Sequence, residues 1–449
     1  MKKFLYIFIL LFIVGWAQAQ QRVVYTINDG WKFTKGSPFE AQLTGCDDSS
    51  WETVNIPHTW NDKDADDETP GFYRGPVWYR KQLFIDKSQE GRRAVIYFEG
   101  ANQEVRFYLN GQFVGEHKGG YTRFCFDITS HLRYGQENLF AIYVNNVYNP
   151  NIPPLSADFT FFGGIYRDVR LEVKENVSLS DIFVHTAIDF RLSPVTAQIT
   201  SEITLTESAE NMTIRQYYMP KSTAAAQESW RLLCEQTVST DVSCDKEFSL
   251  TATITAPLLW DTEEANLYIL KTQLYQDNTI LDETETTFGI REAVFKKDGF
   301  YLNGRKLRIC GLNRHQSFPY VGYAMPKSMQ RLDADLLKKE LGLNAVRTSH
   351  YPQSHYFLER CDELGLLVFT EFPGWQHIGD DSWKAQAVEN AEDMIRQYRN
   401  HPSIILWGIR INESPDDDAF YEKTNAVAHK LDPSRPTGGV RAMKKSHLL

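Results

Sequence analysis

The feature that most constrains the fold is a regular alternation of strand and helix patterns after residue 293. Short apolar runs alternate with stretches of helical spacing, and Gly342 and Gly365 stand where two helices would end. Such alternation predicts parallel βαβ units, most economically a (β/α)8 TIM barrel. Four units and the start of a fifth are present, so we expect an incomplete α/β barrel. The predicted strands are 308–312, 344–348, 366–372, 404–411 and 436–441, and the predicted helices are 327–341, 353–364, 382–400 and 416–431.

The residues before 293 have β patterning instead. Residues 20–174 show short alternating runs broken by Gly, Asn and Pro, and the pair Asn110 and Gly111 is a strong signal for a tight hairpin. This pattern predicts an all-β jelly-roll sandwich. Residues 175–292 alternate more plainly, and their length suits an immunoglobulin-like β-sandwich. The predicted fold is therefore multi-domain, with residues 293–449 forming the N-terminal half of the barrel.

The first 19 residues have the pattern of a secretory signal peptide. Lys2 and Lys3 precede an apolar run over 4–16, and a small-x-small cleavage site follows at 17–19. The run is short for a membrane anchor, and a buried helix is a poor alternative for a run that starts at the first residue. We expect a mature chain from Gln20, exported to the periplasm or secreted.

Composition narrows the classes of partner. The 449 residues carry a net charge of -10 with a pI near 5.6, which argues against nucleic acid because phosphate binding requires basic patches. The mature chain has no apolar stretch long enough for a membrane span. It also has no CxxC or HxxxH cluster, so no metal ligand is predicted. Oligomerisation stays open.

The residues with the clearest chemistry follow the predicted strand 404–411. In such barrels the active site lies where strands end and βα loops begin, and Asn412 and Glu413 occupy that position. A carboxylic acid there can protonate a leaving-group oxygen, and apolar surroundings would favour its protonated form. The alternative is that Glu413 only complements the N-terminal dipole of the next helix.

Four segments, in order along the chain, resemble glycoside hydrolase family 2, and most resemble its β-galactosidases. The run from His401-Pro402-Ser403 through Trp407 to Asn412-Glu413-Ser414 is similar to the family's signature around its acid/base glutamate. The other segments are similar to the end of its sugar-binding domain, the start of its barrel, and its second barrel strand with the following loop; they are 158–170, 300–319 and 346–352.

This resemblance implies roles for particular residues. Glu413 would be the proton donor and later the base that activates water, and Asn412 would bind the sugar 2-hydroxyl group, a hydrogen bond that strengthens in the transition state. His350 would line the pocket for the terminal sugar, although a turn histidine before Tyr351 is the alternative. Arg347 would support the active-site carboxylates, or else form a buried ion pair only.

Two further residues are candidates for substrate binding. Glu371 ends the third predicted strand, and Trp375 follows it, where its ring could stack on a sugar or simply pack at the barrel rim. Arg410, in the segment before Asn412, departs from the small residues usual in the family and has no predicted role.

The resemblance implies a retaining exo-glycosidase that hydrolyses terminal β-linked sugars by double displacement, with a glycoside or oligosaccharide as substrate. β-Galactosides are the first choice; β-glucuronides, β-mannosides and a non-catalytic carbohydrate-binding protein are the alternatives. The nucleophilic carboxylate lies on the seventh strand in this family, so we expect it beyond residue 449 and expect this chain to be inactive alone. No cofactor is required within the chain, and a divalent cation in a longer enzyme has no support in the sequence.

Overall fold

The computed structural model describes residues 22–208, 211–221, 229–238 and 246–442. The predicted signal peptide over 1–19 lies outside these ranges. Within them, none of the helices combines the length and the apolar character that a membrane span requires.

The first domain is a sandwich of two antiparallel sheets. A four-stranded sheet has the order β1-β10-β5-β8, and a six-stranded sheet has the order β3-β2-β4-β9-β6-β7. Their facing sides enclose one apolar core that includes Trp31, Phe107 and Ile142. The strands are β1 (Val23–Thr26), β2 (Trp31–Lys35), β3 (Glu52–Val54), β4 (Pro76–Ile85), β5 (Arg93–Phe98), β6 (Glu104–Leu109), β7 (Gln112–Lys118), β8 (Phe124–Asp127), β9 (Gln136–Asn145) and β10 (Val169–Lys174).

The hairpin predicted at Asn110 and Gly111 is confirmed. The two residues connect β6 to β7 with φ angles of 54° and 84°. Positive φ at both positions is the requirement of a type I′ turn, whose twist matches that of the flanking strands.

Replacement of Gly111 by alanine is expected to destabilise the first domain by about 1 kcal/mol, because an L-residue pays roughly that amount for a left-handed backbone. The atom nearest to an added Cβ would be Leu43 Cδ2, at an ordinary 3.4 Å, so the cost comes from the backbone. The matched control is Gly45→Ala, whose φ is not left-handed and whose added Cβ would meet nothing within 4 Å. Equal urea midpoints for the two variants would contradict the prediction.

The second domain is a smaller β-sandwich. A three-stranded sheet, β11-β12-β15, packs on a four-stranded sheet, β14-β13-β16-β17, around Ile199, Ile214 and Leu270. All of these strand pairs are antiparallel, as an immunoglobulin-like sandwich requires. The strands are β11 (Leu179–Asp189), β12 (Thr196–Leu205), β13 (Met212–Pro220), β14 (Arg231–Val238), β15 (Glu247–Thr255), β16 (Tyr268–Gln276) and β17 (Thr279–Phe288).

The third domain contains the predicted barrel strands. After a small antiparallel sheet, five parallel strands follow in the order β21-β22-β23-β24-β25, so the barrel is open within the described residues. The antiparallel strands are β18 (Ala293–Lys296), β19 (Gly299–Leu302) and β20 (Arg305–Leu307). The parallel strands are β21 (Gly311–Arg314), β22 (Ala345–Thr348), β23 (Leu367–Glu371), β24 (Ile404–Gly408) and β25 (Thr437–Gly438). The helices are α1 (Lys327–Asp335), extended by a π-helical turn (Leu336–Glu340), α2 (His355–Leu364), α3 (Asp381–Tyr398) and α4 (Asp418–Leu431).

Three predicted strands have wrong boundaries, and the one expected over 436–441 covers only Thr437–Gly438. The strand expected over 308–312 begins only at Gly311, because the Asn344 side chain binds the Arg308 carbonyl and the Cys310 amide in place of a strand ladder. The strand expected over 404–411 ends at Gly408. Beyond that point the chain follows a loop that Arg410 holds, as described below.

Exposed apolar side chains lie at the β21 edge of the parallel sheet and on the helical segment that follows this strand. In the described residues β21 pairs only with β22, and Leu312 on β21 is exposed together with Leu332 and Leu336 on the neighbouring helical segment.

A buried carboxylate connects β24 to the end of α4. The Asp432 side chain is fully buried; it accepts hydrogen bonds from Trp407 Nε1 at 2.8 Å and the Ser434 amide at 3.0 Å, and it pairs with Arg435. Burial alone would raise the pKa of Asp432, but the Arg435 charge and these hydrogen bonds outweigh it and lower the pKa to about 2.

Acid is therefore expected to weaken this domain through Asp432. A folded-state pKa about two units below the unfolded value contributes roughly 2–3 kcal/mol of stability above pH 4, which is lost as the pH falls from about 4 towards 2. The urea midpoint should fall less between pH 6 and pH 3 in Asp432→Asn than in the wild type. The same fall in both proteins would show that Asp432 does not carry this effect.

Candidate active site

The site lies at the carboxyl ends of neighbouring parallel strands. Arg347 is the penultimate residue of β22, and Glu371 is the last residue of β23, the next strand in the sheet. Parallel strands in register bring their carboxyl ends to the same edge. The structure brings four of the predicted site residues together at this edge: Arg347, Glu371, His350 and Asn412.

A buried ion-pair network forms the base of the site. Arg347 donates from Nε and from its terminal nitrogen to Glu371 Oε1 at 2.9 and 2.6 Å. His350 Nδ1 lies 3.0 Å from the other oxygen of Glu371 and 3.3 Å from Arg347. Since the Glu371 side chain is 1% exposed, its charge is compensated by these two neighbours rather than by water.

Asn412 is held by the same arginine. Its side-chain oxygen accepts a hydrogen bond from Arg347 at 2.6 Å, which fixes the carboxamide with its NH2 group as the remaining donor. Trp375 pairs with Asn412 through an isolated parallel bridge, and the Gln376 amide donates to the Asn412 carbonyl at 2.7 Å. Trp375 is half-buried beside the site.

Glu413 differs from the sequence expectation in its surroundings. Its side chain is exposed rather than enclosed by apolar residues, and Oε2 accepts a hydrogen bond from Gln376 Nε2 at 3.0 Å. The backbone has φ of 55°, and the Glu413 amide donates to the Val440 carbonyl at 2.8 Å. The alternative role at the next helix is wrong, because α4 begins at Asp418 and Asp417 caps it.

Arg410, which had no predicted role, fastens the loop that carries Glu413. Its buried guanidinium donates to the Ser414 and Pro415 carbonyls at 3.1 and 3.2 Å and to Asp416 at 2.6 Å. It also lies 4.6 Å from the centre of the Tyr421 ring. The side chain thus turns away from the site and fixes the path of the chain between β24 and α4.

The first domain contributes a wall that the sequence did not assign. Phe159 lies over His315, His350 and Tyr351, with ring centres 5.3, 6.4 and 5.0 Å apart. Arg167, from the same segment, donates to the Pro352 carbonyl at 2.9 Å and anchors this wall to the barrel. Segment 158–170 was found to be similar to a family motif. The sequence could not predict that the segment contacts residues some 150 positions later, because such a contact produces no pattern in the local sequence.

Gln376 and His315 were also missed as site residues. Gln376 has φ of 57° in the loop after β23, and such loop geometry has no periodic signal in the sequence. His315 follows β21 and lies near His350, with ring centres 5.5 Å apart. Burial, with a further contribution from His350, lowers the pKa of His315 and favours its neutral form.

Among the described residues, one group has the spacing of metal ligands. Asp158, His315 and His350 each offer a ligand atom, and these atoms lie within 4.8 Å of one another. No metal ligand was predicted from the sequence.

Two β-sandwiches followed by parallel barrel strands, with an amide and a carboxylic acid after the fourth of them, define a multidomain protein whose candidate site lies on a barrel domain. The chain belongs to glycoside hydrolase family 2. Three models of that family match consecutive parts: the sugar binding domain over residues 16–175, the central "Glycosyl hydrolases family 2" domain over 177–291, and the TIM barrel domain over 293–447.

The similar proteins in this family include enzymes named β-galactosidase and enzymes named β-glucuronidase. A β-galactosidase from Thermoanaerobacter pseudethanolicus is 43% identical over 95% of this chain and 57% of its own length. A β-glucuronidase from Bacteroides fragilis is 31% identical over 96% of the chain and 62% of its own length. The crystal structure of a Bacteroides uniformis β-glucuronidase superposes with a TM-score of 0.80 at 32% identity, covering 93% of this chain and 52% of that one. The chain therefore spans little more than half the length of such relatives.

Proposed function

We propose that this protein is a retaining exo-glycosidase for terminal β-linked sugars, with β-galactosides as its substrates. The observation that carries the proposal is the pairing of an exposed acid, Glu413, with the oriented carboxamide of Asn412 above the Arg347–Glu371 network. An oriented amide donor beside a carboxylic acid at strand ends supplies the acid/base half of the machinery for glycoside hydrolysis, together with a donor to the sugar.

In this proposal Glu413 acts twice. It first protonates the oxygen of the leaving group, and its carboxylate then takes a proton from the water that attacks the glycosyl intermediate. Gln376 donates to Oε2 of Glu413 and so orients the group from one side. Asn412 donates from its NH2 group to the 2-hydroxyl of the sugar, and His350 lines the pocket beside Phe159.

A retaining mechanism needs a second carboxylate roughly 5 Å from the acid, to form the covalent intermediate. Glu371 does not fit this role, because it is buried and both of its oxygens are engaged by Arg347 and His350. We assign Glu371 to positioning and substrate support, and we place the nucleophile on a strand other than the five described here.

We choose β-galactosides rather than β-glucuronides as the proposed substrates for two reasons. The β-galactosidases of Thermoanaerobacter pseudethanolicus and Thermoanaerobacterium thermosulfurigenes are 43% and 42% identical to this chain, whereas the Bacteroides fragilis β-glucuronidase is 31% identical. In addition, a glucuronide carries its own carboxylate, and charged donors bind that group best. Arg347, the cation within the network, is already committed to Glu371 and Asn412. The glucuronidase relatives keep β-glucuronides as the second candidate.

The proposed function also includes a location and a set of partners. We propose an exported protein of the periplasm or the medium, acting on a glycoside or oligosaccharide. We assign it no required cofactor, no nucleic-acid partner and no membrane span after cleavage of the signal peptide.

The proposal is tested by sugar binding and by turnover with the purified chain. A galactose-configured iminosugar is expected to bind more tightly than glucuronate, and Asn412→Ala should weaken it while the surface control Asn176→Ala does not. No hydrolysis of aryl β-galactosides above that of Glu413→Gln is expected from this chain, because the nucleophile is placed on a strand other than the five described here. Turnover that is lost in Glu413→Gln would instead show that the nucleophile lies within these residues. If glucuronate binds more tightly than the iminosugar, β-glucuronides replace β-galactosides as the proposed substrates. Binding of neither sugar would count against a glycosidase site.

A further inference from the structure

Three potential metal ligands converge from separate segments beside the sugar pocket. Asp158 comes from the first domain, His315 follows β21 and His350 follows β22. Their ligand atoms lie within 4.8 Å of one another. The contact between the first domain and the barrel thus brings together groups that are more than 150 positions apart in sequence.

The hydrogen bonds of the two histidines leave one nitrogen of each ring for a ligand. His350 Nδ1 lies 3.0 Å from Glu371 Oε2 and 3.3 Å from the Arg347 guanidinium. Because the carboxylate can only accept and is the nearer of the two, we assign the hydrogen to Nδ1, which leaves the lone pair on Nε2. A carboxylate behind a histidine in this way fixes the ring and raises its basicity at metal sites. His315 Nδ1 lies 3.3 Å from the Tyr351 hydroxyl, so Nε2 is the nitrogen that this ring also leaves for a ligand.

The third group is also available. Asp158 is exposed, and within the described ranges its carboxylate has no hydrogen bond or ion pair to another side chain. A tetrahedral ion with bonds of about 2.1 Å sets its ligands roughly 3.4 Å apart. To bind such an ion, the ligand atoms would have to move closer together than 4.8 Å, by about an ångström. The exposed Asp158 side chain can make this movement.

We propose that Asp158, His315 and His350 form a binding site for a divalent transition-metal ion of the Zn²⁺ class. Two imidazole nitrogens and one carboxylate suit Zn²⁺, Co²⁺ or Ni²⁺, whereas Ca²⁺ and Mg²⁺ prefer sites made of oxygen. Three protein ligands leave coordination positions open to water or to a hydroxyl of a bound molecule. Because His350 also lines the proposed sugar pocket, metal occupancy would obstruct that pocket rather than assist hydrolysis.

The test measures metal binding directly, so its result does not depend on whether the chain hydrolyses glycosides. Metal-stripped protein is titrated calorimetrically with Zn²⁺, and separately with Ca²⁺ and Mg²⁺. One Zn²⁺ ion per chain is expected. Its affinity should be lowered at least about tenfold in Asp158→Asn and in His315→Gln, since even the loss of a residue that only hydrogen-bonds to a ligand lowers metal affinity by that much. The matched control is His185→Gln, a histidine paired with Glu202 at 3.5 Å in the second domain.

Asp158→Asn keeps the test decisive if a histidine variant does not fold, because the exposed Asp158 side chain carries no structural contact of this kind. Unchanged Zn²⁺ affinity in Asp158→Asn, or an equal loss in His185→Gln, would overturn the site. Ca²⁺ binding as tight as Zn²⁺ binding would overturn the class of metal.

Discussion

In a form of the enzyme that also carries the nucleophile strand, replacement of Glu413 by alanine is expected to lower the hydrolysis of alkyl β-galactosides by about 10²–10⁴-fold, the usual contribution of a positioned general acid. The loss should depend on the leaving group. A dinitrophenolate departs without protonation, so formation of the glycosyl intermediate should survive for that substrate, while an alkoxide leaving group should not depart. This dependence separates an acid/base residue from a residue that only supports the fold.

The second step offers a further measurement. Without the base, water attacks the intermediate slowly, but azide is a nucleophile that needs no proton removal. Added azide should therefore accelerate turnover of the dinitrophenyl substrate by Glu413→Ala and yield the β-glycosyl azide. The matched control is Glu422→Ala, an exposed glutamate on α4 that lies away from the site. An equal loss for both leaving groups, without azide rescue, would remove Glu413 from the acid/base role.

The part of the site that sequence could predict is the part built on strands. Arg347 and Glu371 come from consecutive predicted strands, and parallel pairing of β22 with β23 places them 2.6 Å apart. The alternation of strand and helix was sufficient for this, because the carboxyl ends of parallel strands meet at one edge.

The parts that sequence could not predict depend on loops and on contacts between domains. The exposure of Glu413 was missed because the apolar run up to Ile411 suggested a buried strand, whereas the strand ends at Gly408 and a loop follows. Gln376 reaches Glu413 through a left-handed backbone that has no sequence pattern. Asp158 approaches His315 only when the first domain packs on the barrel, a contact that periodicity cannot reveal.

Replacement of Arg347 by methionine is expected to destabilise the third domain by about 3–5 kcal/mol, the cost of leaving one member of a buried ion pair without its partner. Glu371 is 1% exposed and would keep only His350 as a polar neighbour from this network, and the Asn412 oxygen would also lose its donor. Methionine preserves most of the volume of the arginine stem, so the loss reports the charge and hydrogen bonds rather than a cavity.

The measurement is the urea midpoint, followed by tryptophan fluorescence, with Arg331→Met as the control in the same domain. Arg331 pairs with Glu363 at 2.6 Å, but both side chains are partly exposed, and such pairs contribute about 1 kcal/mol or less. A second substitution, Glu371→Gln, removes the uncompensated charge and should therefore recover part of the stability lost in Arg347→Met. If the double variant is no more stable than the single one, the buried charge of Glu371 is not the cause, and the role of Arg347 is packing against Phe369.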